Sequence, residues 1–379
     1  MKILIASQDW DYRFARPQHF ARILGEQHRV TYLSTGPDIK SRTRDALRGE
    51  TIWRPLCYRI SPNVQAFSAF HPIGHTSPEG IRQDCRLNAR LARLLYPQAF
   101  DCADIGITTN PVHYDTIRNL RWKRLVYDCL DRYEGFFPEG SELQEFVLER
   151  ERRLLKEADF VFVSSRLLYD EKSQIRKVHY LPHGVDIEHF QNHATPAPEE
   201  LRSIRNPIVG FVGGIEHWVD LSWVAAAAED LPEVSFVLVG DVRVPVSELP
   251  QRTNIRFLGY RPYAEVSRYI NAFSVCIVPF RINDLTAAVN PIKVLEYFAL
   301  GRPVVSTYMP ELEHYLPYIA LVRTVAEFIA RVKDALATDT PGLRRARQEI
   351  AESRSWRRIT QNLVRVIQGE AASTEFAPL

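Results

Sequence analysis

The feature that most narrows the fold is an alternation of short, β-branched apolar runs with stretches of helical spacing, and the chain goes through that alternation twice. The first series of strand-like runs covers residues 2–6, 29–33, 53–60, 103–108, 124–130 and 159–164. The second covers 208–213, 235–240, 254–258, 273–278, 302–307 and 319–322. Strands separated by helices imply parallel sheets covered on both faces. Between the two series lie VHYLPHGVD (178–186) and HATPAPEE (193–200), where Pro and Gly interrupt both periodicities. The expected class is therefore α/β, with two Rossmann-like doubly wound domains. Residues 1–190 form the first, 191–206 a linker and 207–354 the second. The segment 355–379 begins SWRRITQNLVRVIQ, with Ile359, Leu363, Val366 and Ile367 at helical spacing, and is expected to pack back towards the first domain. Ligands in open α/β sheets bind beyond the carboxyl ends of the strands, so two such domains facing each other imply a cleft.

Composition excludes several classes. With 379 residues, 45% of them hydrophobic, the chain has enough apolar material for two cores. No run approaches the ~20 apolar residues of a membrane span, and MKILIASQ is too short for a signal peptide. Cys57, Cys85, Cys102, Cys129 and Cys276 are odd in number and form no CxxC pair, which favours reduced thiols and a cytoplasmic location over disulfides or a metal centre. The net charge of +2 comes with scattered arginines and gives no reason to invoke nucleic acid. The stretch after the first strand, SQDWDYRFARPQH, lacks GxGxxG, which disfavours a dinucleotide-dependent dehydrogenase.

The stretch NPIKVLEYFALGRPVV (290–305) carries the strongest chemistry. Asn290 is a competent N-cap and Pro291 suits the first helical position, so the amides and positive dipole end of this helix offer an anion site. Lys293 adds a cation beside those amides. Glu296, one turn on and on the same face, can accept hydrogen bonds from a ribose diol. Equally open is a solvated i,i+3 ion pair on an ordinary amphipathic helix.

At this point a resemblance enters. NPIKVLEYFALGRPVV, the IVGFVGG that opens the second domain, YLPHGVD, RPQHFARIL and LVYDCLDRYEGF are together similar to the GT-B glycosyltransferases, especially bacterial enzymes of exopolysaccharide and teichuronic acid assembly. The resemblance implies a nucleotide diphosphate sugar donor (a UDP- or GDP-sugar), a glycan or lipid-linked acceptor, and no metal or other cofactor. It places the diphosphate at Lys293 and the ribose at Glu296, with Gly213, Gly214, Phe280, Asn290 and Pro291 around the donor. Two departures stand out. Many retaining members carry a second carboxylate eight residues before the ribose-binding one, where this chain has Ala288. Many also place an Arg and a Lys after the first strand of the second domain, where this chain has Gly213-Gly214-Ile215-Glu216-His217-Trp218, with Arg281 as a substitute cation.

On the acceptor side, Asp128 and Asp131 close an apolar strand and invite a general-base reading, although either can equally cap a helix or pair with an arginine. LVY-x-x-x-D is similar to the pattern of xanthan-type glucuronosyltransferases and implies Asp131 as base, with Asp128 in reserve. A base in direct displacement inverts the anomeric centre, whereas the second domain resembles retaining enzymes, so both courses stay open. Arg13, Arg16, His19, Asn110 and His113 are candidate acceptor contacts, with surface ion pairs or structural roles as alternatives. Arg82, Arg86, Arg90 and Arg93 interleave with Leu87, Leu91, Leu94 and Leu95. That helix either packs in the core with a solvated arginine face or lies on anionic lipid, giving peripheral contact with the inner membrane surface. A sugar-nucleotide epimerase and a non-catalytic sugar-nucleotide or glycan-binding partner are the other functions the residues allow.

Overall fold

The computed structural model describes residues 1–8, 10, 14–35, 57–68, 77–191, 196–245 and 252–371. The chain divides into two compact units, one of Met1–Pro182 with Thr360–Leu379 and one of His183–Ile359.

The first unit is built on an eight-stranded sheet of β1 (Lys2–Gln8), β2 (Arg29–Thr35), β3 (Cys57–Ser61), β4 (Val64–Ser68), β5 (Ala103–Thr108), β6 (Trp122–Cys129), β7 (Phe160–Val163) and β8 (His179–Tyr180). The spatial order is β3-β4-β2-β1-β5-β6-β7-β8. Central strands such as β7, with Val161, Phe162 and Val163 fully buried, are continuous apolar runs because both faces are covered. The expectation of parallel pairing holds except at one edge. Of the strand expected at 53–60, residues 53–56 lie outside the described ones. Cys57–Ser61 turns through Pro62 and Asn63 and returns antiparallel as β4, which the strand assignment from sequence omits. Asn63 holds this hairpin, donating from Nδ2 to the Gly25 carbonyl at 3.0 Å.

Among the described residues, the longer helices of this unit are α1 (Arg16–Leu24), α2 (Pro78–Leu95), α3 (Glu142–Glu157) and α4 (Arg166–Ser173). Ser77, Ser141 and Ser165 cap the last three, each hydroxyl accepting from the backbone N–H three residues on. In α2 the buried face is Ile81, Asp84, Cys85, Asn88, Ala89 and Ala92. Small residues there allow close approach to α3 and to the short helix Tyr114–Arg118. The helix packs in the core through this face and leaves Arg86, Arg90 and Arg93 exposed, as the core-packing alternative expects, but Leu87, Leu94 and Leu95 are exposed as well.

At the start of α1, Arg16 is 1% exposed and clasps Asp128, which is fully buried at the end of β6. Its Nε and Nη2 donate to the two carboxylate oxygens at 2.8 and 2.6 Å, and Nη1 donates to the carbonyls of Leu181 and Pro182 at 2.7 and 2.9 Å. This one guanidinium ties a helix start, a central strand and the last residues before the second unit.

The second unit is a six-stranded, all-parallel sheet of β9 (Ile208–Val212), β10 (Ser235–Val239), β11 (Ile255–Gly259), β12 (Val275–Val278), β13 (Val304–Thr307) and β14 (Ile319–Val322), in the order β11-β10-β9-β12-β13-β14. That is the doubly wound 3-2-1-4-5-6 order, with its reversal between β9 and β12. Helices α5 (Leu221–Asp230), α6 (Tyr263–Ala272), α7 (Ile292–Ala299), α8 (Val325–Thr338) and α9 (Pro341–Ser353) cover it. Helix α10 (Trp356–Ile367) begins in this unit and continues, from Thr360, as part of the first. There the Ile367 carbonyl accepts from Arg124 Nη1 at 2.8 Å. The boundary Pro182–His183 falls within YLPHGVD, and residues 196–206 lie inside the second unit. Val185 forms a parallel bridge with Ser355, donating to the Arg354 carbonyl at 3.0 Å and accepting from the Trp356 N–H at 3.1 Å. A Cβ at Gly184 would stand 2.9 Å from that Arg354 oxygen, so the two chain segments pass at glycine distance.

Removing one partner of a buried ion pair leaves the other charge uncompensated and costs about 3–5 kcal/mol. Arg16→Ala is therefore expected to lower the urea stability of the first unit by about that amount, while Arg16→Leu with Asp128→Leu recovers most of it; equal losses in both variants would contradict this.

Candidate functional site

The reversal of strand order in the second unit brings the ends of β9 and β12 together with the start of α7. Beyond β9, Gly213 has φ 151°, a backbone that favours glycine, and its N–H donates to the Val239 carbonyl at 2.8 Å. Gly240 has φ 153°, and a Cβ there would overlap the Gly213 carbonyl oxygen. The two glycines let the carboxyl ends of β9 and β10 close on each other.

Lys293, the second residue of α7, lies across this junction. A Cβ on Gly213 would overlap the lysine Cε and stand 2.7 Å from Nζ, and Nζ is 5.9 Å from the centre of the Phe211 ring. The residue after Glu296, Tyr297, locks the helix in place: its fully buried hydroxyl accepts from the Val212 N–H at 3.0 Å. Glu296 is partly exposed, but the apolar surroundings desolvate its carboxyl and push it up to about 7, with Lys293 opposing. These surroundings are unlike those of a solvated surface pair.

The cap differs from expectation. Pro291, with ψ 104°, is the N-cap, and α7 begins at Ile292. Asn290 sits one residue earlier, buried, with Nδ2 donating to Glu311 Oε1 at 3.2 Å. Restriction of the residue before a proline keeps Asn290 out of the helix. Phe280 is buried, edge-on to Phe211 at 6.4 Å, and its N–H donates to Thr307 Oγ1 at 3.1 Å. Gly214 lies half-buried beside Gly213 and leads into Ile215, whose N–H donates to the Asp241 carbonyl at 2.8 Å. Arg281 donates from Nε to the His217 carbonyl at 2.9 Å, which fixes its base against the GGIEHW loop. Ala288 is fully buried. Tyr297, Gly240 and Glu311 complete the arrangement, yet none carries a sequence signal, since each acts through a partner far along the chain.

In the first unit, β1 and β5 flank the reversal of strand order, and Ser7 and Thr109 share a 2.6 Å hydroxyl contact there. Asn110 accepts from the Val112 N–H at 2.9 Å and caps the turn that buries His113. His19 is buried edge-on to Phe14, with ring centres 4.6 Å apart. Arg13 lies outside the described residues. Arg16 and Asp128 are engaged with each other in the interior, and four of the five guanidinium N–H donors are taken, two by the carboxylate and two by carbonyls. Asp131 is different. It is partly exposed at the strand's carboxyl end, and desolvation pushes its carboxyl up to about 7, the range of a general base at neutral pH. Among the described residues, no group of three or more His, Cys, Asp or Glu side chains is placed to hold a metal ion.

Residues 206–338 match the family model described as glycosyl transferases group 1, a span containing the entire Gly213–Lys293–Glu296 arrangement. A protein of Bacillus subtilis (strain 168) assigned to teichuronic acid biosynthesis as the glycosyltransferase TuaH is 29% identical over 204 residues, 50% of this chain. The chain spans about half, 51%, of that relative's length. Among solved structures, sucrose-phosphate synthase from Thermosynechococcus elongatus superposes with a TM-score of 0.73 at 16% identity, covering 97% of this chain and 99% of that one. HepE of Anabaena, solved with UDP and glucose, gives 0.68 at 17% identity with the same coverage. The fold is thus GT-B, two parallel-sheet α/β domains.

The Asp131 carboxyl has a folded value of about 7 against an unfolded one of about 3.9, so the folded state holds more protons in between. Its contribution to stability is full below about pH 4 and is lost as pH rises through about 7. Asp131→Asn is expected to be more resistant to urea than the parent at pH 8, by about 1–2 kcal/mol after allowance for solvent screening, and similar to it near pH 4. Equal differences at both pH values would contradict the desolvated setting.

Proposed function

We propose that the protein is a glycosyltransferase that moves a hexosyl group from a nucleotide diphosphate donor to a hydroxyl of a glycan or lipid-linked acceptor, in polysaccharide or cell-envelope assembly. The observation that carries this reading is Lys293 laid over Gly213 at the strand-order reversal, with its ammonium beside the first turn of α7. The group 1 match over 206–338, the UDP and glucose in HepE and the biosynthetic assignment of TuaH support it.

In this reading the diphosphate lies against the amides of the α7 start, where the helix dipole and Lys293 meet its charge. These groups stabilise the departing diphosphate as the bond to the anomeric carbon breaks, an electrostatic contribution of the oxyanion-hole kind. Glu296 accepts from the ribose hydroxyls. Asp131, in the first unit, takes the proton of the acceptor hydroxyl as its oxygen bonds to the anomeric carbon. Direct displacement of this kind inverts that centre, and the uncharged Ala288 fits a mechanism without a second carboxylate. No metal is assigned a step. The five cysteines, all free thiols, fit a reducing cytoplasm.

The test is turnover with a panel of UDP-, GDP- and dTDP-hexoses and a lipid-linked acceptor extract, measuring released nucleotide and transferred sugar. Release that requires acceptor supports transfer, whereas acceptor-independent turnover indicates an epimerase and binding without turnover a non-catalytic partner. Lys293→Ala is expected to weaken UDP or GDP binding about 10- to 100-fold, and Gly213→Ala, which displaces the lysine, comparably. Calorimetric affinities equal to the parent's would overturn the diphosphate assignment. Asp131→Asn is expected to leave nucleotide affinity within about twofold while lowering transfer about 10²- to 10⁴-fold, and parental transfer should rise with pH through about 7. Near-parental transfer by this variant would remove Asp131 as the base.

A further inference from the structure

Helix α2 of the first unit presents a face that folding leaves uncovered. Ile81, Asp84, Cys85, Asn88, Ala89 and Ala92 turn inward. At about 3.6 residues per turn, Arg82, Arg86, Arg90 and Arg93 line one side of the outward arc, and Leu87, Leu91, Leu94 and Leu95 the other. Leu94 is 76% exposed, Leu95 48% and Leu87 36%, and three neighbouring leucines in water on one helix are a standing hydrophobic cost. Arg82 is engaged with Glu79 and stacks on Phe146. Among the described residues, no side-chain hydrogen bond or ion pair engages the guanidinium groups of Arg90, Arg93 or Arg121.

Those three arginines converge. With Leu94, Pro97, Gln98, Phe100 and Asp101 they line a cavity of about 640 Å³ at the carboxyl-terminal end of α2. Three guanidinium groups against one carboxylate leave its walls net positive, and Leu94, Pro97 and Phe100 give it an apolar side. A soluble anion has no use for that apolar side or for the exposed leucines beside it. Adjacent stripes of arginine and leucine match the layering of a bilayer surface, with phosphates outermost and acyl chains beneath.

We propose that this face of α2 docks on a membrane surface rich in anionic phospholipid. Leu87, Leu94 and Leu95 enter the acyl boundary, Arg86 and Arg93 face headgroup phosphates, and one phosphate seats among Arg90, Arg93 and Arg121 in the cavity. The inference is independent of the donor-site assignment, because none of these residues belongs to the second unit.

Sedimentation of the full chain with vesicles tests it, using phosphatidylglycerol–phosphatidylcholine (1:1) against phosphatidylcholine alone. Binding to the anionic vesicles is expected to exceed binding to the neutral ones by tenfold or more and to fall as salt is raised. Arg90→Glu with Arg93→Glu, and separately Leu94→Ser with Leu95→Ser, should each lower the anionic partition coefficient about tenfold or more. Arg345→Glu, a charge reversal on exposed α9, should leave it unchanged. These surface variants are expected to keep parental circular dichroism and UDP affinity, so a loss of vesicle binding reports the face itself. Equal binding to both vesicle types, no binding to either, or parental binding by either α2 double variant would overturn the proposal. So would concentration-dependent dimerisation in sedimentation velocity that Leu94→Ser with Leu95→Ser abolishes, since the leucines would then cover a second copy of the chain.

Discussion

The close approach of α7 to the end of β9 is the constraint on which the second unit's chemistry rests. A lysine chain can lie across that strand end only because residue 213 lacks a side chain, and the strand end can close on its neighbour only because residue 240 lacks one too. The Tyr297 hydroxyl then fixes the helix by taking up the N–H of Val212. Backbone geometry and one buried phenol thus set where the start of the helix, and the lysine on it, stands. Positioning of this kind is in place before any ligand arrives, which is what electrostatic stabilisation of a leaving group requires.

The first unit applies the opposite solution to its own ionisable groups. Arg16 and Asp128 neutralise each other in the interior and spend their hydrogen-bonding capacity on structure. Three residues on, Asp131 has no such partner among the causes of its shift, and desolvation alone raises it. Burial raises both aspartates of YDCLD, but the Arg16 guanidinium opposes the shift at Asp128 while nothing opposes it at Asp131.

Much of the architecture was legible in the sequence because buried parallel strands are short, continuous apolar runs, and those at 103–108 and 319–322 coincide with β5 and β14. What escaped depends on distant partners. The Arg16–Asp128 pair spans 112 positions, and no local pattern announces it. The β3–β4 hairpin hides in SPNV, a turn too brief to break the apolar trend around it. In α2 the leucines look like core residues by their spacing, but Asp84 and Asn88 occupy the inward face, since small neighbours there let the helix pack closely. The position of Lys293 and Glu296 in the first turns of a helix was readable, whereas the shift of the cap from Asn290 to Pro291 needed the backbone angles.

The raised carboxyls carry a thermodynamic signature of their own. With Asp131 and Glu296 both near 7, the native protein at neutral pH retains about one proton between them that the denatured chain would not. Near neutral pH these two carboxyls therefore make the native chain more positive than the denatured one by about one charge. Denaturation releases that proton to the medium, so the heat absorbed on melting includes the buffer's own enthalpy of protonation.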